Sequence, residues 1–290
     1  MGYGTLPDEP EFGAGSDAPA QVNPVSERAA RIVRTATSGL AANPHVEYLL
    51  RLSDDRLVLG HRLSEWCGHA PILEEDIALA NIALDLIGQA ALLLEHAGAL
   101  EGAGRSADQL AYLRDATEYR NVLLAELPKG DFAVTIVRQF LFSALQVPLL
   151  AQLERSTDPT LAGIAGKARK ECVYHLRHTA DWMLKLGDGT DESHARCQAA
   201  LDALWPYAHE LLWGDAVDDA MLAAGVATDV RALEGIFRDN VQRVVSAATL
   251  TMPPDGWRPV GGRTGKHTEQ LGHLLAEMQI LPRSHPGASW

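Results

Sequence analysis

The sequence has few cysteines, little basic charge and no long uninterrupted apolar run. Its three cysteines, Cys67, Cys172 and Cys197, are far apart and odd in number, which argues against a disulfide framework or a zinc knuckle. With 38 acidic against 25 basic residues, the formal net charge of −13 disfavours binding to nucleic acid or anionic lipid. No run of about 18 apolar residues indicates a membrane-spanning helix. We therefore expect a cytoplasmic protein with no nucleic-acid or membrane partner.

The N-terminal segment lacks the features of a signal peptide. Residues 1–24 are rich in Gly, Pro, Asp and Glu, and they contain neither a basic start nor an apolar stretch. This composition predicts a disordered arm over residues 1–24, followed by a single helical domain over residues 25–290.

The periodicity of the remaining chain predicts an all-α fold. From Val25 onward, apolar residues recur at spacings of three and four, and strand-like alternation is almost absent. Turn residues at Pro128 to Asp131 and at Asp158-Pro159 indicate capped helix starts. The predicted helices span residues 26–43, 45–69, 73–99, 107–126, 131–155, 159–186, 190–213, 228–249 and 267–281.

The predicted helix 73–99 is apolar on several sides and carries one line of polar residues. Its main apolar face includes Leu73, Ile77 and Leu84, and further apolar residues on other sides predict that it is buried nearly all round. Asn81, Asp85 and Gln89 follow one another at i, i+4 and i+8. Buried polar groups need partners, so neighbouring helices must supply them.

Three other helices carry polar stripes that offer such partners. They comprise His61, Glu65 and His69; Lys167, Glu171, His175 and His178; and Gln139, Ser143 and Gln146. For an ionised Asp85 in the interior, the candidate partners are His61, Arg62, Lys167 and His175. Any one stripe is also typical of a solvated or internally hydrogen-bonded helix face, but four together are typical of a bundle that binds two metal ions.

The motif that completes such a metal site is absent from the sequence. A ferritin-like di-iron bundle takes one Glu from each of two helices and a Glu-x-x-His from each of the other two. No Glu-x-x-His occurs anywhere in this chain. The sequence is therefore that of an unusual metalloenzyme or of a bundle that has lost its metal chemistry.

Several long motifs resemble the PaaC family, the C subunits of the bacterial phenylacetyl-CoA epoxidases. The resemblance covers roughly residues 45–290 and is carried by Leu59–Pro71, Ala80–Ala90, Lys129–Gln139, His267–Gln279 and the ending Pro286–Trp290. It implies a ferritin-like four-helix bundle with additional peripheral helices. It also implies a homologous A subunit that carries the di-iron centre and oxidises the aromatic ring of phenylacetyl-CoA, with a reductase among the other components.

The resemblance further implies that this chain keeps only part of the metal-ligand set. Glu65 and His175 retain ligand types, whereas the second-helix motif reads Leu86 to Gln89 and is preceded by Asp85. Ser143 falls near the third-helix carboxylate, and the fourth-helix motif begins at Cys172. We therefore expect no cofactor on this chain and iron in the partner subunit.

A basic loop near the C-terminus is a second candidate site. Arg258, Arg263, Lys266 and His267 precede the last predicted helix. Such a cluster at a helix start can meet a carboxylate of a partner or a CoA phosphate. A solvated loop without a ligand is an equally good interpretation.

Three functions are compatible with these patterns. The leading hypothesis is a non-catalytic structural or assembly subunit of a multicomponent di-iron phenylacetyl-CoA 1,2-epoxidase in a hetero-oligomer. The alternative is an autonomous metal-dependent oxidase with an atypical ligand set of Glu65, Asp85, Glu171, His175 and His178. The third is a helical binding module unrelated to an oxygenase.

Overall fold

A computed structural model describes residues 43–288, and within that range the chain is all-α, without a strand. Its α-helices are α1 Pro44–Ser64, α2 Leu73–Glu101, α3 Ala107–Tyr112, α4 Leu123–Glu126, α5 Phe132–Leu153, α6 Pro159–Gly187, α7 Asp191–Ala208, α8 Ala216–Ala223, α9 Glu234–Ala247 and α10 Glu269–Ser284. The predicted arm 1–24 and the predicted helix 26–43 lie outside the described residues.

Two helical hairpins form the centre of a ferritin-like bundle. Helix α1 packs along α2, α5 packs along α6, and α2 also meets α6. The shorter helices α3, α4, α8 and α10 contact the α1/α2 pair, while α7 and α9 contact the α5/α6 pair. The core lies between the hairpins, with α5 supplying fully buried side chains such as Phe140 and Leu141.

The helices of the bundle begin where the sequence provides caps. The Asn43 side chain accepts a hydrogen bond from the backbone N–H of His45 at 2.9 Å, and Pro44 occupies the first turn of α1. Asp131 caps α5 through the N–H of Val134 at 2.9 Å. Asp158 caps α6 in the same way, so the two predicted helix starts in this half of the chain are confirmed.

A glycine allows α1 and α2 to approach closely. A Cβ at Gly60 would lie 2.8 Å from Cγ1 of Ile87, which is shorter than van der Waals contact. A larger residue at position 60 would therefore push the two helices apart. Leu57, Leu63 and Leu86, which are close to these residues in sequence, belong to the buried core.

Several predicted helix boundaries are wrong. Helix α1 ends at Ser64 and not at residue 69, so Glu65 and His69 follow the helix in turns and do not extend the His61 face. The predicted helix 107–126 consists of α3, a 3₁₀ turn at Ala116–Glu118 and α4. Helix α8 lies in a segment where we expected no helix.

Helix α2 is not buried all round. Its outward side chains Leu73, Ile77 and Leu84 are 72%, 54% and 67% exposed, although they belong to the face that the sequence predicts to be apolar. The buried side of α2 is formed instead by residues such as Leu79 and Leu86. The chain therefore carries a line of large apolar side chains on its surface, which we call the α2 stripe (Leu73, Ile77 and Leu84).

By length and composition, α2 and α5 are also apolar enough to cross a membrane. Helix α5 is enclosed by the rest of the bundle, and one side of α2 packs on α1. Core helices of folded bundles commonly meet this criterion, because they too are apolar over about 20 residues. The expectation of no membrane partner, which we based on uninterrupted apolar runs, stays a prediction.

Candidate functional site

A buried arginine occupies the centre of the bundle. Arg56 of α1 is 1% exposed, and its guanidinium donates to Oε1 of Gln89 on α2 at 3.0 Å and to Oε1 of Gln146 on α5 at 2.7 Å. A third bond runs to the carbonyl of Leu52 at 2.7 Å. All three acceptors are neutral. Burial lowers the pKa of Arg56, but a guanidinium remains charged at neutral pH.

The position of Arg56 corrects our view of the first helix. The resemblance implies Glu65 as the first-helix carboxylate, but the α1 side chain that meets Gln89 of the second-helix motif is Arg56. Glu65 lies nine residues further on, which corresponds to about 13 Å of helix. Its carboxylate accepts a hydrogen bond from Arg62 at 2.7 Å beyond the end of α1, and its side chain is 30% exposed.

The other expected ligand positions lie near the centre but have few metal-binding groups. The Leu86 side chain is buried in the core, and Ser143 accepts a hydrogen bond from Gln139 within α5. Cys172 is buried beside Arg56 and Gln89, and desolvation raises the pKa of its thiol to about 11. A thiol with this pKa is protonated at neutral pH and is therefore a poor nucleophile and metal ligand.

Polar side chains of α2 and α6 form three contacts between these helices, and α6 is one of the three helices that we expected to offer partners to α2. Gln89 donates to Glu171 at 2.8 Å, His175 lies 2.9 Å from Asp85, and His178 lies 3.1 Å from Glu75. Of the three polar residues predicted to line α2, Asp85 and Gln89 have partners on α6, whereas Asn81 is exposed. The α2/α6 contact is thus partly polar and runs toward the surface.

Asp85 lies at the edge of this contact and not in the interior. Its side chain is 36% exposed, whereas its partner His175 is fully buried. Burial lowers the pKa of His175, and the Asp85 carboxylate opposes that shift only in part. Among the four candidates that we named for Asp85, the structure selects His175.

The residues of the alternative oxidase hypothesis are not gathered at one point. Glu171 contacts Gln89, His178 contacts Glu75, and Glu65 lies beyond α1. Between residues 43 and 288, no three His, Cys, Asp or Glu donors come close together at this position. A di-iron bundle uses four carboxylates and two imidazoles around its metal ions, and this centre instead contains a guanidinium and two primary amides.

The C-terminal basic loop is tied into the fold through two of its four residues. Arg263 makes two bonds to the Asp55 carboxylate, at 2.9 and 2.8 Å, and His267 meets Glu126 at 2.7 Å. The loop is held further by Glu210, whose Oε1 accepts from the N–H groups of Gly261 and Gly262 at 2.8 Å each.

The other two residues of the loop are on the surface. Arg258 pairs with Asp255, and Lys266 is exposed. Of the expected partner or phosphate contacts, only Arg258 and Lys266 are therefore open to a ligand.

Sequence reasoning missed Arg56 and the buried acids before it. The signal was the triplet Asp54, Asp55 and Arg56 inside the apolar pattern of α1, because three consecutive charges cannot all face solvent on a helix packed on several sides. All three are at most 1% exposed.

The fold and this centre define a ferritin-like helical bundle with few metal-binding groups at its centre. The model of the phenylacetic acid catabolic protein family matches residues 34–290, and the chain belongs to that family. It is similar to the C subunit of the 1,2-phenylacetyl-CoA epoxidase of Escherichia coli K12, with 47% identity over 248 residues. This alignment covers 86% of the present chain and 100% of the relative. The predicted family resemblance is confirmed.

Proposed function

We propose that this chain is a non-catalytic structural and assembly subunit of a multicomponent di-iron phenylacetyl-CoA 1,2-epoxidase in phenylacetate catabolism. The observation that carries the proposal is Arg56, whose guanidinium fills the centre between α1, α2 and α5. A fixed cation there repels divalent or trivalent metal ions and offers them no ligand. The chemistry then belongs to a homologous subunit that holds the iron.

The α2 stripe supports a permanent protein partner. Monomeric proteins seldom expose a row of large apolar side chains, and such rows mark interaction sites. Leu73, Ile77 and Leu84 lie within about 40° of one another around α2, given about 100° per residue. Tyr174 of α6, which is 51% exposed and stacks on His178, is a further large side chain on the surface.

The partner that fits this surface is another helical bundle. A straight line of apolar side chains packs well into the groove between helices of a facing subunit. Obligate interfaces typically bury about 2,000 Å² or more and are apolar at their centre. On this proposal, the α2 stripe is covered by the homologous di-iron subunit, and Arg258 and Lys266 remain available for acidic groups of that partner or for a CoA phosphate.

Reconstitution with the catalytic and reductase components tests the association. We expect Leu84→Asp to release the catalytic partner and to abolish ring oxidation of phenylacetyl-CoA, because it places a charge in an apolar interface. Ile236→Asp is the matched control, since Ile236 is 49% exposed on α9 and lies off the stripe. Equal co-purification of both variants with the partner would contradict the assignment of the α2 stripe.

The same assay tests the absence of a catalytic role. His175→Ala should leave turnover within a few-fold when the complex assembles and the partner keeps its iron. A loss of about a thousandfold under those conditions is the effect of removing a catalytic group, and it would favour a catalytic centre on this chain.

A further inference from the structure

Three metal-binding side chains meet at the end of the bundle, away from Arg56. His45 lies in the first turn of α1, His96 near the end of α2, and Asp158 at the start of α6. One donor atom from each lies within 4.8 Å of the other two, and no other group of three such donors comes together among residues 43–288. Neither the family motifs nor the proposed assembly role uses these residues.

Both imidazoles point at the same carboxylate oxygen. Nε2 of His96 lies 2.5 Å from Oδ2 of Asp158, and Nε2 of His45 lies 2.9 Å from that oxygen. The His96 contact has hydrogen-bond geometry, but Nε2 of His45 is buried and makes no hydrogen bond. If both imidazoles were held by hydrogen bonds, each would donate to the Asp158 carboxylate. In this geometry only His96 does so, and His45 is left without a partner in the described part of the chain. A cation between the three atoms would satisfy both nitrogens through their lone pairs.

The carboxylate is held in the orientation that such a site needs. Oδ1 of Asp158 accepts the backbone N–H groups of Thr160 at 2.9 Å and Leu161 at 3.1 Å, which leaves Oδ2 free to face the histidines. Hydrogen bonds of this kind orient a metal-binding carboxylate. The side chains of His45, His96 and Asp158 are 22%, 13% and 6% exposed, so the site is largely shielded from solvent.

We propose that His45 Nε2, His96 Nε2 and Asp158 Oδ2 bind one Zn²⁺ ion. Two neutral imidazoles and one carboxylate, with an open fourth position, form a donor set that zinc accepts. Zinc ligands at about 2.0–2.2 Å from the ion lie about 3.3 Å from one another in a tetrahedron, so the two N···O contacts need to lengthen by less than about 1 Å. Such a site binds Zn²⁺ more tightly than Mn²⁺ or Fe²⁺.

The ion would join three helix ends that are distant in sequence. His45 is eleven residues from Arg56, or about 16 Å along α1, so the site is separate from the centre of the bundle. Binding would hold the start of α1, the end of α2 and the start of α6 together. The ion would therefore stabilise this end of the bundle.

Metal titration of the full-length chain, without a histidine tag and after treatment with a chelator, tests the proposal. With Co²⁺ as the probe, we expect one equivalent to give visible absorption typical of low coordination, and one equivalent of Zn²⁺ to remove it. His45→Gln and His96→Gln should each weaken Zn²⁺ binding at least about tenfold, since losing even an outer partner of a ligand has that effect. His273→Gln is the matched control, because His273 is an exposed histidine on α10.

Asp158→Asn adds a variant that keeps the cap of α6. The amide oxygen can still accept from the backbone of Thr160 and Leu161, but it has lost the charge that binds the cation. We expect weaker Zn²⁺ binding with an unchanged circular dichroism spectrum. The proposal is overturned if the wild type shows no stoichiometric Co²⁺ spectrum, or if the site variants bind Zn²⁺ as tightly as His273→Gln. The wild-type titration decides even where a variant fails to fold.

Discussion

Three consecutive residues of α1 carry buried charges, and the fold treats the two acids differently from the arginine. Asp54 forms a two-bond pair with Arg114, at 2.9 and 2.5 Å, and Asp55 forms one with Arg263, at 2.9 and 2.8 Å. Arg56 meets only neutral oxygens of Gln89, Gln146 and Leu52. The acids face the peripheral segments, and the arginine faces the centre of the bundle.

The buried acids and the buried arginine therefore have different roles. The two acid pairs fasten the segments around Arg114 and Arg263 to the first helix, so they hold peripheral elements on the bundle. The centre has no such segment to fasten. On our proposal, the centre corresponds to the position that holds the metal ions in a di-iron homologue. In this chain the guanidinium of Arg56 and its amide partners fill that position. A buried cation thus remains, but it exchanges no ligand and carries no redox chemistry.

The largest effect should come from breaking an acid pair. Arg114→Leu leaves the Asp54 carboxylate buried without its guanidinium, since both side chains are fully buried. Removing one partner of a buried ion pair typically costs about 3–5 kcal/mol. We expect that loss in the free energy of unfolding, measured by urea denaturation at pH 7.

A double variant controls for lost packing. Asp54→Leu combined with Arg114→Leu removes both charges, so it should recover a large part of the stability. A loss below about 1 kcal/mol for Arg114→Leu alone would mean that water or the N–H of Arg120, which lies 2.9 Å from Asp54, compensates the carboxylate.

Arg56→Met should have a smaller effect. It removes a cation that has no carboxylate partner, so no charge is left unpaired by the change. The buried oxygens of Gln89 and Gln146 lose a donor, at a cost of about 1–3 kcal/mol for unsatisfied groups. The measurement is again urea denaturation, with Arg56→Lys as a control that keeps the charge but cannot reach both amides. A loss equal to that of Arg114→Leu would show that the two regions do not differ as we describe.

The His267–Glu126 pair gives a pH-dependent comparison. Burial alone would lower the pKa of His267, but the hydrogen bond and charge of Glu126 raise it above its ordinary value. Both ring nitrogens face acceptors, Glu126 at 2.7 Å and the carbonyl of Tyr119 at 3.0 Å, which favours the imidazolium. A raised folded pKa means stability that is fully present below about pH 6.5 and is lost as pH rises through the folded pKa.

We therefore expect the stability difference between the wild type and His267→Gln to be largest at pH 6 and to shrink toward pH 9. Unfolding free energies of both proteins at the two pH values measure it, and groups common to both cancel. His285→Gln serves as control, because the His285 side chain is exposed just after α10. A difference that grows with pH would contradict the raised pKa.

The sequence predicted the architecture better than the centre of the site. Periodicity and caps at Asp131 and Asp158 located the α5/α6 hairpin within two residues at each helix start and end. The sequence also predicted that the polar line of α2 needs partners from neighbouring helices, and Asp85 and Gln89 find them on α6. Local chemistry determines each of these features, so a single chain can reveal them.

Two features could not be predicted from the sequence in this way: which residues of α1 face α2, and which side of α2 is exposed. Which residue of α1 faces Gln89 depends on how far two helices slide along each other, and neither periodicity nor spacing fixes that distance. The sequence therefore could not show that Arg56, nine residues before Glu65, is the α1 residue that meets Gln89. The stripe of Leu73, Ile77 and Leu84 was read as core because an apolar face has the same pattern whether its own chain or a partner covers it.

The smallest effect should come from the edge of the α2/α6 contact. Asp85→Asn keeps an oxygen that can accept from His175, which lies 2.9 Å away, and removes only the charge. The sequence suggested an interior charge at Asp85, but its side chain is 36% exposed, and ion pairs in contact with water contribute about 0–1 kcal/mol. Urea denaturation at pH 7 should therefore show a loss below about 1 kcal/mol. Asp181→Asn, an exposed acid on the same helix as His175, is the control for the change in net charge. A loss above about 2 kcal/mol for Asp85→Asn alone would place Asp85 with the buried acids of α1, because only a carboxylate shielded from water has so large an effect.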